Sequence, residues 1–252
     1  MSIINTWPEF GDWEIGNVTI DVDNLFWRVK IDKGFYGDID LTMATLFTTE
    51  SVRTRASFEN AAKHLGMSVV TITERRTGES WQDFGTTLAA MFDIIVARTE
   101  GLLFLRELIS GVDGQATVID AGCGTISHPT QSLIDLYTMC SDRELLRSNK
   151  PIAIFGPEGD NRAIASFYEL AGRVFEVVPF DIEVARRKGY RAIYTATTNN
   201  HYILPEGLEI PIFHPFPRGA VVPVSYDKTP FNFYFEQMRN AVPLRKELLC
   251  QL

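Results

Sequence analysis

The spacing of apolar positions changes period many times along this chain. "MATLF" (43–47) is a short, continuously apolar run that predicts a buried strand, and "RASFENAAKHLG" (55–66) follows with helical spacing and a glycine stop. The β-branched "MSVVTIT" (67–73) predicts a strand, "ESWQDFGTTLAAMF" (79–92) a helix and "IIVART" (94–99) a strand. Next come "LLFLRELISG" (102–111) as a helix, "ATVIDAG" (116–122) as a strand and residues 128–141 as a helix. After a charged stretch, "SDRELLRSNK" (141–150), the alternation restarts. "PIAIFGP" (151–157), "VFEVVPF" (174–180), "AIYTATT" (192–198) and "IPIFHPF" (210–216) read as strands. "NRAIASFYELAG" (161–172) and "IEVARRKG" (182–189) read as the helices between them, and the last segment reads as a helix with a kink expected at Pro243.

Alternating strands and helices of this length predict parallel sheets with crossover helices. Two such series separated by a charged connector predict an α/β protein of two lobes, each a mostly parallel sheet flanked by helices, with a cleft between them. The expected lobes are 1–145 and 146–252. Ligands of open α/β sheets bind beyond the carboxyl ends of strands, so the segments that follow strands are the places to look for chemistry.

Composition narrows the class. The 252 residues are 45% apolar and 22% charged, the mix of a globular protein, and the net charge of −8 argues against non-specific nucleic-acid binding. Three cysteines, Cys123, Cys140 and Cys250, are too few and too scattered for a disulfide framework or a zinc site, which makes a reducing cytoplasm the expected location. The opening "MSIINTWPEFGDWEIG" lacks the basic and apolar regions of a signal peptide. No apolar run approaches the roughly 20 residues of a membrane span.

Ser51, Val52, Arg53, Thr54 and Arg55 cluster after the first predicted strand, where a helix begins. Free backbone N–H groups and the helix dipole favour an anion there, and Arg adds a bidentate fork. Read alone, the cluster favours an ordinary capped helix with solvated arginines. Arg98 stands at the end of another strand. In "AGCGTISHPTQSLIDLYT" (121–138), Ser127 is suited to cap the next helix and Pro129 to its first turn. His128 and Gln131 are three apart and share a face, so both can reach one carbonyl group. A structural histidine beside a helix cap is the plain alternative. In the second half, "GPEGDNRAIASF" (156–167) opens a helix with Arg162 in its first turn, and "FHPFPRG" (213–219) is a proline-stiffened loop. Neither GxGxxG nor GxxxxGK[ST] occurs.

Taken in order, these segments resemble the aspartate/ornithine carbamoyltransferase family, and most closely its aspartate-type catalytic chains. The matches are "SVRTRASFE" (51–59), Arg98, "HPTQSLIDLYT" (128–138), "HPFPR" (214–218) and the tail "DKTPFNFYFEQMRNAVPLRKELL" (227–249), in an order intact over about residues 20 to 252. The resemblance implies that Ser51, Val52, Arg53 and Thr54 form the loop that grips the phosphate of carbamoyl phosphate, with Arg98 as a second contact. It implies that His128 and Gln131 engage the carbamoyl group, that Arg162 binds the acceptor's carboxylate, and that Pro215, Phe216 and Pro217 turn their carbonyls toward the attacking amine. His128, Arg53, Thr54 and Arg98 are thus the expected catalytic set. The reaction needs no cofactor and no metal. A homotrimer is implied, with Arg75, Arg76 and Thr77 of a neighbour completing each site, and with the C-terminal helix (about 229–252) packing back on the first lobe.

The departures from the family pattern fall unevenly. Thr77 stands where aspartate-type members carry a lysine, Ala196 where they carry a second acceptor-binding arginine, and Thr198 where a glutamine is usual. Val52 replaces a threonine and Cys123 an aspartate, and the second half is shortened around the acceptor-closing loop. The carbamoyl phosphate side is largely kept and the aspartate side largely dismantled. The expectation is a carbamoyltransferase-like enzyme whose amine acceptor is not aspartate. The alternatives are an inactive structural or regulatory partner of a paralogous carbamoyltransferase, and a fold reused for other chemistry, for which Cys123 is the one candidate nucleophile.

Overall fold

The computed structural model describes residues 7–31, 38–157, 161–197, 199, 201–215 and 220–252. The strands are β1 (Asp12–Ile15), β2 (Val18–Asp21), β3 (Thr42–Phe47), β4 (Ser68–Ile72), β5 (Ile94–Thr99), β6 (Thr117–Cys123), β7 (Ile152–Ile154), β8 (Val177–Pro179), β9 (Ala192–Tyr194) and β10 (Ile212–Phe213). The helices are α1 (Val22–Ile31), α2 (Val52–His64), α3 (Trp81–Ala89), α4 (Leu102–Val112), α5 (Pro129–Ser141), α6 (Arg143–Arg147), α7 (Arg162–Ala171), α8 (Ile182–Arg186) and α9 (Tyr234–Leu249).

Two compact units emerge, each built on a four-stranded parallel sheet flanked by helices, as the alternation of periods predicts. One unit comprises Asp12–Gln131 and Ala241–Leu252, with strand order β4-β3-β5-β6. Its central strands β3 and β5 are almost wholly buried and therefore read as continuous apolar runs. On one face Ala44, Leu46, Ile95 and Ala97 pack with Trp81 and Leu88 of α3 and with Leu105 and Leu108 of α4. The other unit comprises the described part of Met1–Gly11 together with Ser132–Asn240, with strand order β10-β9-β7-β8. Its core gathers Ala153, Ile193 and Ile212 of the sheet around Leu204, Leu208 and Tyr226. The chain passes from one unit to the other inside α5 and returns inside α9.

Three features go beyond the sequence pattern. A hairpin, β1 and β2, precedes the first sheet strand, and its Gly16–Asn17 turn docks on β6. Gly16 has φ +77° and lies so close to the Val118 carbonyl that no side chain fits. Helix α2 begins at Val52 and not at 55, which places Arg53 and Thr54 inside its first turn. The charged stretch after α5 holds a helix, α6, capped by Asp142 through the N–H groups of Glu144 and Leu145.

Candidate functional site

Parallel pairing brings the carboxyl ends of β3, β5 and β6 side by side in one unit. Three of the segments singled out in the sequence emerge at that edge. The first runs from Phe47 through Thr48 and Thr49 to Ser51, where α2 starts. The Thr48 N–H donates to the Arg98 carbonyl at 3.1 Å, so this turn is tied to the end of β5. Ser51 is the N-cap of α2, yet its hydroxyl makes no cap bond, and the first turn holds no acidic residue. The first turn therefore presents the helix's positive end without an acidic side chain of its own. Thr54 is buried in that turn, while Val52 and Arg53 are exposed.

Arg98 is the second element, and it is buried despite its charge. The β5–β6 register slips between Ala97 and Thr99, where β6 carries an extra residue. That bulge contains Gly122, with φ +120°. The bulge turns the guanidinium across the sheet edge. Nε donates to the Thr49 hydroxyl at 3.2 Å, and Nη1 donates to the Ala121 carbonyl at 3.5 Å.

The third element is the turn 121–128. Asp120, buried in the middle of β6, accepts from the Gly122 N–H at 2.8 Å and from the Ser127 hydroxyl. Ser127 thus braces the turn through Asp120. The result is a buried His128 whose Nε2 lies 3.5 Å from Arg98 Nη1. A guanidinium can only donate, so Nε2 is the acceptor in this contact. Gln131, half-buried, stands in the first turn of α5, its N–H bonded to the His128 carbonyl at 3.1 Å. Cys123 is fully buried in the apolar core, with its sulfur facing the Thr99 hydroxyl at 3.7 Å. That placement is one of packing and argues against a nucleophile.

Of the residues expected from a neighbouring subunit, Arg75 is half-buried with its guanidinium over the Trp81 ring of its own chain, 5.2 Å from the centroid. Arg76 and Thr77 are exposed.

The other unit carries the expected acceptor residues. Arg162 is the first residue of α7, half-buried. Asn161 caps that helix through the Ala163 N–H at 2.9 Å and donates from Nδ2 to the Ala196 carbonyl at 2.5 Å. Ala196 is itself buried, so the position where the family pattern has an arginine holds a methyl group. Pro215 is half-buried, while Phe216, Pro217 and Thr198 lie outside the described residues.

A polar network that the sequence reading missed leads up to Pro215. The Tyr194 hydroxyl donates to Asp135 Oδ2 at 2.9 Å, and Gln237 Nε2 donates to Oδ1 at 2.7 Å. Gln237 Oε1 in turn accepts from the His214 N–H at 3.1 Å. The His214 ring stacks on Tyr234 at 4.7 Å. Burial and the Asp135 charge push the Tyr194 phenol well above its ordinary range, so it stays a donor. Asp135, within "HPTQSLIDLYT", was the available signal.

Residues 36–141 match the family model for the aspartate/ornithine carbamoyltransferase carbamoyl-P binding domain. The aspartate carbamoyltransferase catalytic subunit of Hyperthermus butylicus is 30% identical over 267 residues, covering 82% of this chain and 82% of its own length. The chain belongs to the aspartate/ornithine carbamoyltransferase family. The catalytic subunit from Korarchaeum cryptofilum is 28% identical, with 92% of this chain and 94% of that protein covered. That alignment runs over 284 positions, more than the 252 residues here, so the relative has segments this family member lacks. Among solved structures, aspartate transcarbamoylase from Trypanosoma cruzi in complex with N-(phosphonacetyl)-L-aspartic acid superposes with a TM-score of 0.75 at 26% identity, with 91% of each chain covered.

Among the described residues no group of three or more His, Cys, Asp or Glu is placed to hold a metal ion, and no helix is long and apolar enough to cross a membrane.

Proposed function

We propose that this family member transfers the carbamoyl group of carbamoyl phosphate to an amine acceptor other than aspartate. The observation that carries the reading is the buried Arg98–His128 pair at the Gly122 bulge, set against the buried methyl of Ala196 in the other unit. Cation and imidazole together suit the carbonyl oxygen and the bridging phosphate oxygen of a mixed anhydride. The open N-terminus of α2, with Ser51, Arg53 and Thr54, suits the phosphate. The amine nitrogen attacks the carbonyl carbon and the C–O bond to phosphate breaks. Phosphate leaves as a dianion, and the amine proton passes to it or to water. Positive groups that face the developing oxyanion and the leaving group lower the barrier, and holding two substrates in line supplies much of the remainder.

Arg162 supports an acceptor with one carboxylate, bound at the first turn of α7. The single clamp speaks against aspartate, whose second carboxylate would have no cation at Ala196. The Trypanosoma cruzi relative was solved with N-(phosphonacetyl)-L-aspartic acid bound. That compound is therefore the discriminating ligand. Calorimetry should detect carbamoyl phosphate binding and at least about tenfold weaker binding of the aspartate mimic than a competent aspartate site gives. Phosphate release with a panel of amines then tests turnover. Release with aspartate at a rate matching the best other amine would overturn the reading.

A second reading, a non-catalytic partner of a full-length paralogue, has one observation in its favour: Arg75 stacks on Trp81 of its own chain, which draws it away from a neighbour's site. A homotrimer in light scattering, with turnover of its own, would remove it.

A further inference from the structure

Within the second unit, a cavity of about 580 Å³ opens beyond the carboxyl ends of β7 and β8. It is not made of any residue assigned above except Asn161. One wall is a stripe of α7, where Asn161, Ala165 and Tyr168 recur at helical spacing. The opposite wall is aromatic. Phe155 packs edge-on against Phe180 with centroids 5.0 Å apart and against Tyr202 at 6.3 Å. Among the described residues no charged side chain lines it. Asn161 supplies the side-chain amide. Tyr168 is 55% exposed, an unusual amount for a large aromatic, and small Ala165 stands one turn before it on the same wall.

The volume lies in the range of small-molecule sites, roughly 300–1,000 Å³, and the place is the one where open α/β sheets bind ligands. The chemistry is that of an uncharged, bulky group with one hydrogen-bonding end. Asn161, at the rim, is the immediate chain neighbour of Arg162, the expected carboxylate partner of the acceptor. Resting on the transfer reading above, we infer that this cavity is the subsite for the apolar body of the acceptor: an amine, such as a neutral amino acid, bearing an aromatic or branched aliphatic group.

The test uses the whole protein with its phosphate site saturated by inorganic phosphate. L-phenylalanine, phenethylamine and L-aspartate are titrated by calorimetry into the native protein and into Ala165→Trp. That substitution fills the cavity from a solvent-facing helical position and touches nothing assigned to the phosphate side. One of the two apolar amines should bind about tenfold or more tightly than aspartate, and Ala165→Trp should remove about that factor while phosphate affinity stays the same. If neither binds better than aspartate, or if the tryptophan leaves their binding unaltered, the subsite is overturned. Mass analysis of carbamoylated product is the separate arm. Binding that Ala165→Trp abolishes, with no product formed from carbamoyl phosphate, sustains the subsite and overturns the transfer reading instead.

Discussion

Arg98, in β5, and His128, at the mouth of α5, are 30 residues apart in the chain and meet at 3.5 Å over Gly122, which has no side chain. A Cβ at Gly122 would lie 3.1 Å from Arg98 Nη1 and 3.5 Å from His128 Nδ1, and the φ of +120° disfavours any other residue. Gly122→Ala should therefore strain the turn and push the Arg98 guanidinium out of its place beside His128. Turnover of carbamoyl phosphate should fall about 10²-fold, far beyond any loss explained by unfolding. Phosphate release measured beside a urea melt separates the two effects.

Asp120 holds the same turn from below, through the Gly122 N–H and the Ser127 hydroxyl. Asp120→Ala strips both bonds and leaves two partly buried donors. Stability should drop by about 1–3 kcal/mol, and carbamoyl phosphate should bind more weakly because His128 loses its seat. Ser127→Ala removes one bond only and should show a smaller version of both effects. Equal effects from the two variants would contradict this account.

Tyr194→Phe leaves the stack on Phe167 at 3.9 Å intact and deletes only the hydroxyl that Asp135 accepts. The buried carboxylate keeps Gln237 but loses a donor, at a cost of about 1–3 kcal/mol. Because the folded phenol titrates above its unfolded value, its contribution is fully present below about pH 10 and fades as pH rises through the folded value. The wild-type and Phe stability curves should converge in strong alkali.

Asp93, at the start of β5, accepts from the Thr42 N–H at 2.8 Å and its hydroxyl at 2.7 Å, and these bonds hold its carboxyl below the usual range. The sign is the opposite of that for Tyr194. The stabilisation is present above about pH 4 and disappears as pH falls through the lowered value. Asp93→Ala should be less stable than wild type at pH 7, and the gap should shrink in acid, as followed by urea midpoints.

The elements that read well from sequence are those whose burial is two-sided. β5 appears where "IIVART" predicts it because every residue is buried, so the apolar run Ile94–Ala97 marks the strand. The second unit's strands are shorter than their apolar runs: "VFEVVPF" yields only Val177–Pro179, because Val174 and Phe175 complete the turn after α7 through the Ala171 carbonyl. The hairpin β1–β2 escaped because its four-residue strands gain stability from docking on β6, which no local pattern records. At the site, Arg98, His128 and Ser51 were legible as motifs. Asp120 and Thr49 were not, since their roles exist only once β3, β5 and β6 lie in register. The aromatic cavity was invisible for the same reason: Phe155, Phe180 and Tyr202 belong to three separate segments.

Arg245 of α9 is buried against the first turns of α2, bonded to the Ser57 hydroxyl and lying 4.6 Å over the Phe58 ring, while Glu247 pairs with Arg28 at 2.8 Å. These contacts join residues separated by nearly the whole chain, so the unit that begins at Asp12 cannot close its core until residues 241–252 have left the ribosome. The intervening unit has no such debt and is free to fold first. Synthesis would then run against the usual order, with the phosphate-side unit waiting half-built. Stalled or tail-trimmed chains should carry an unfinished α2 and fall preferentially to proteases, a vulnerability set by connectivity and not by composition.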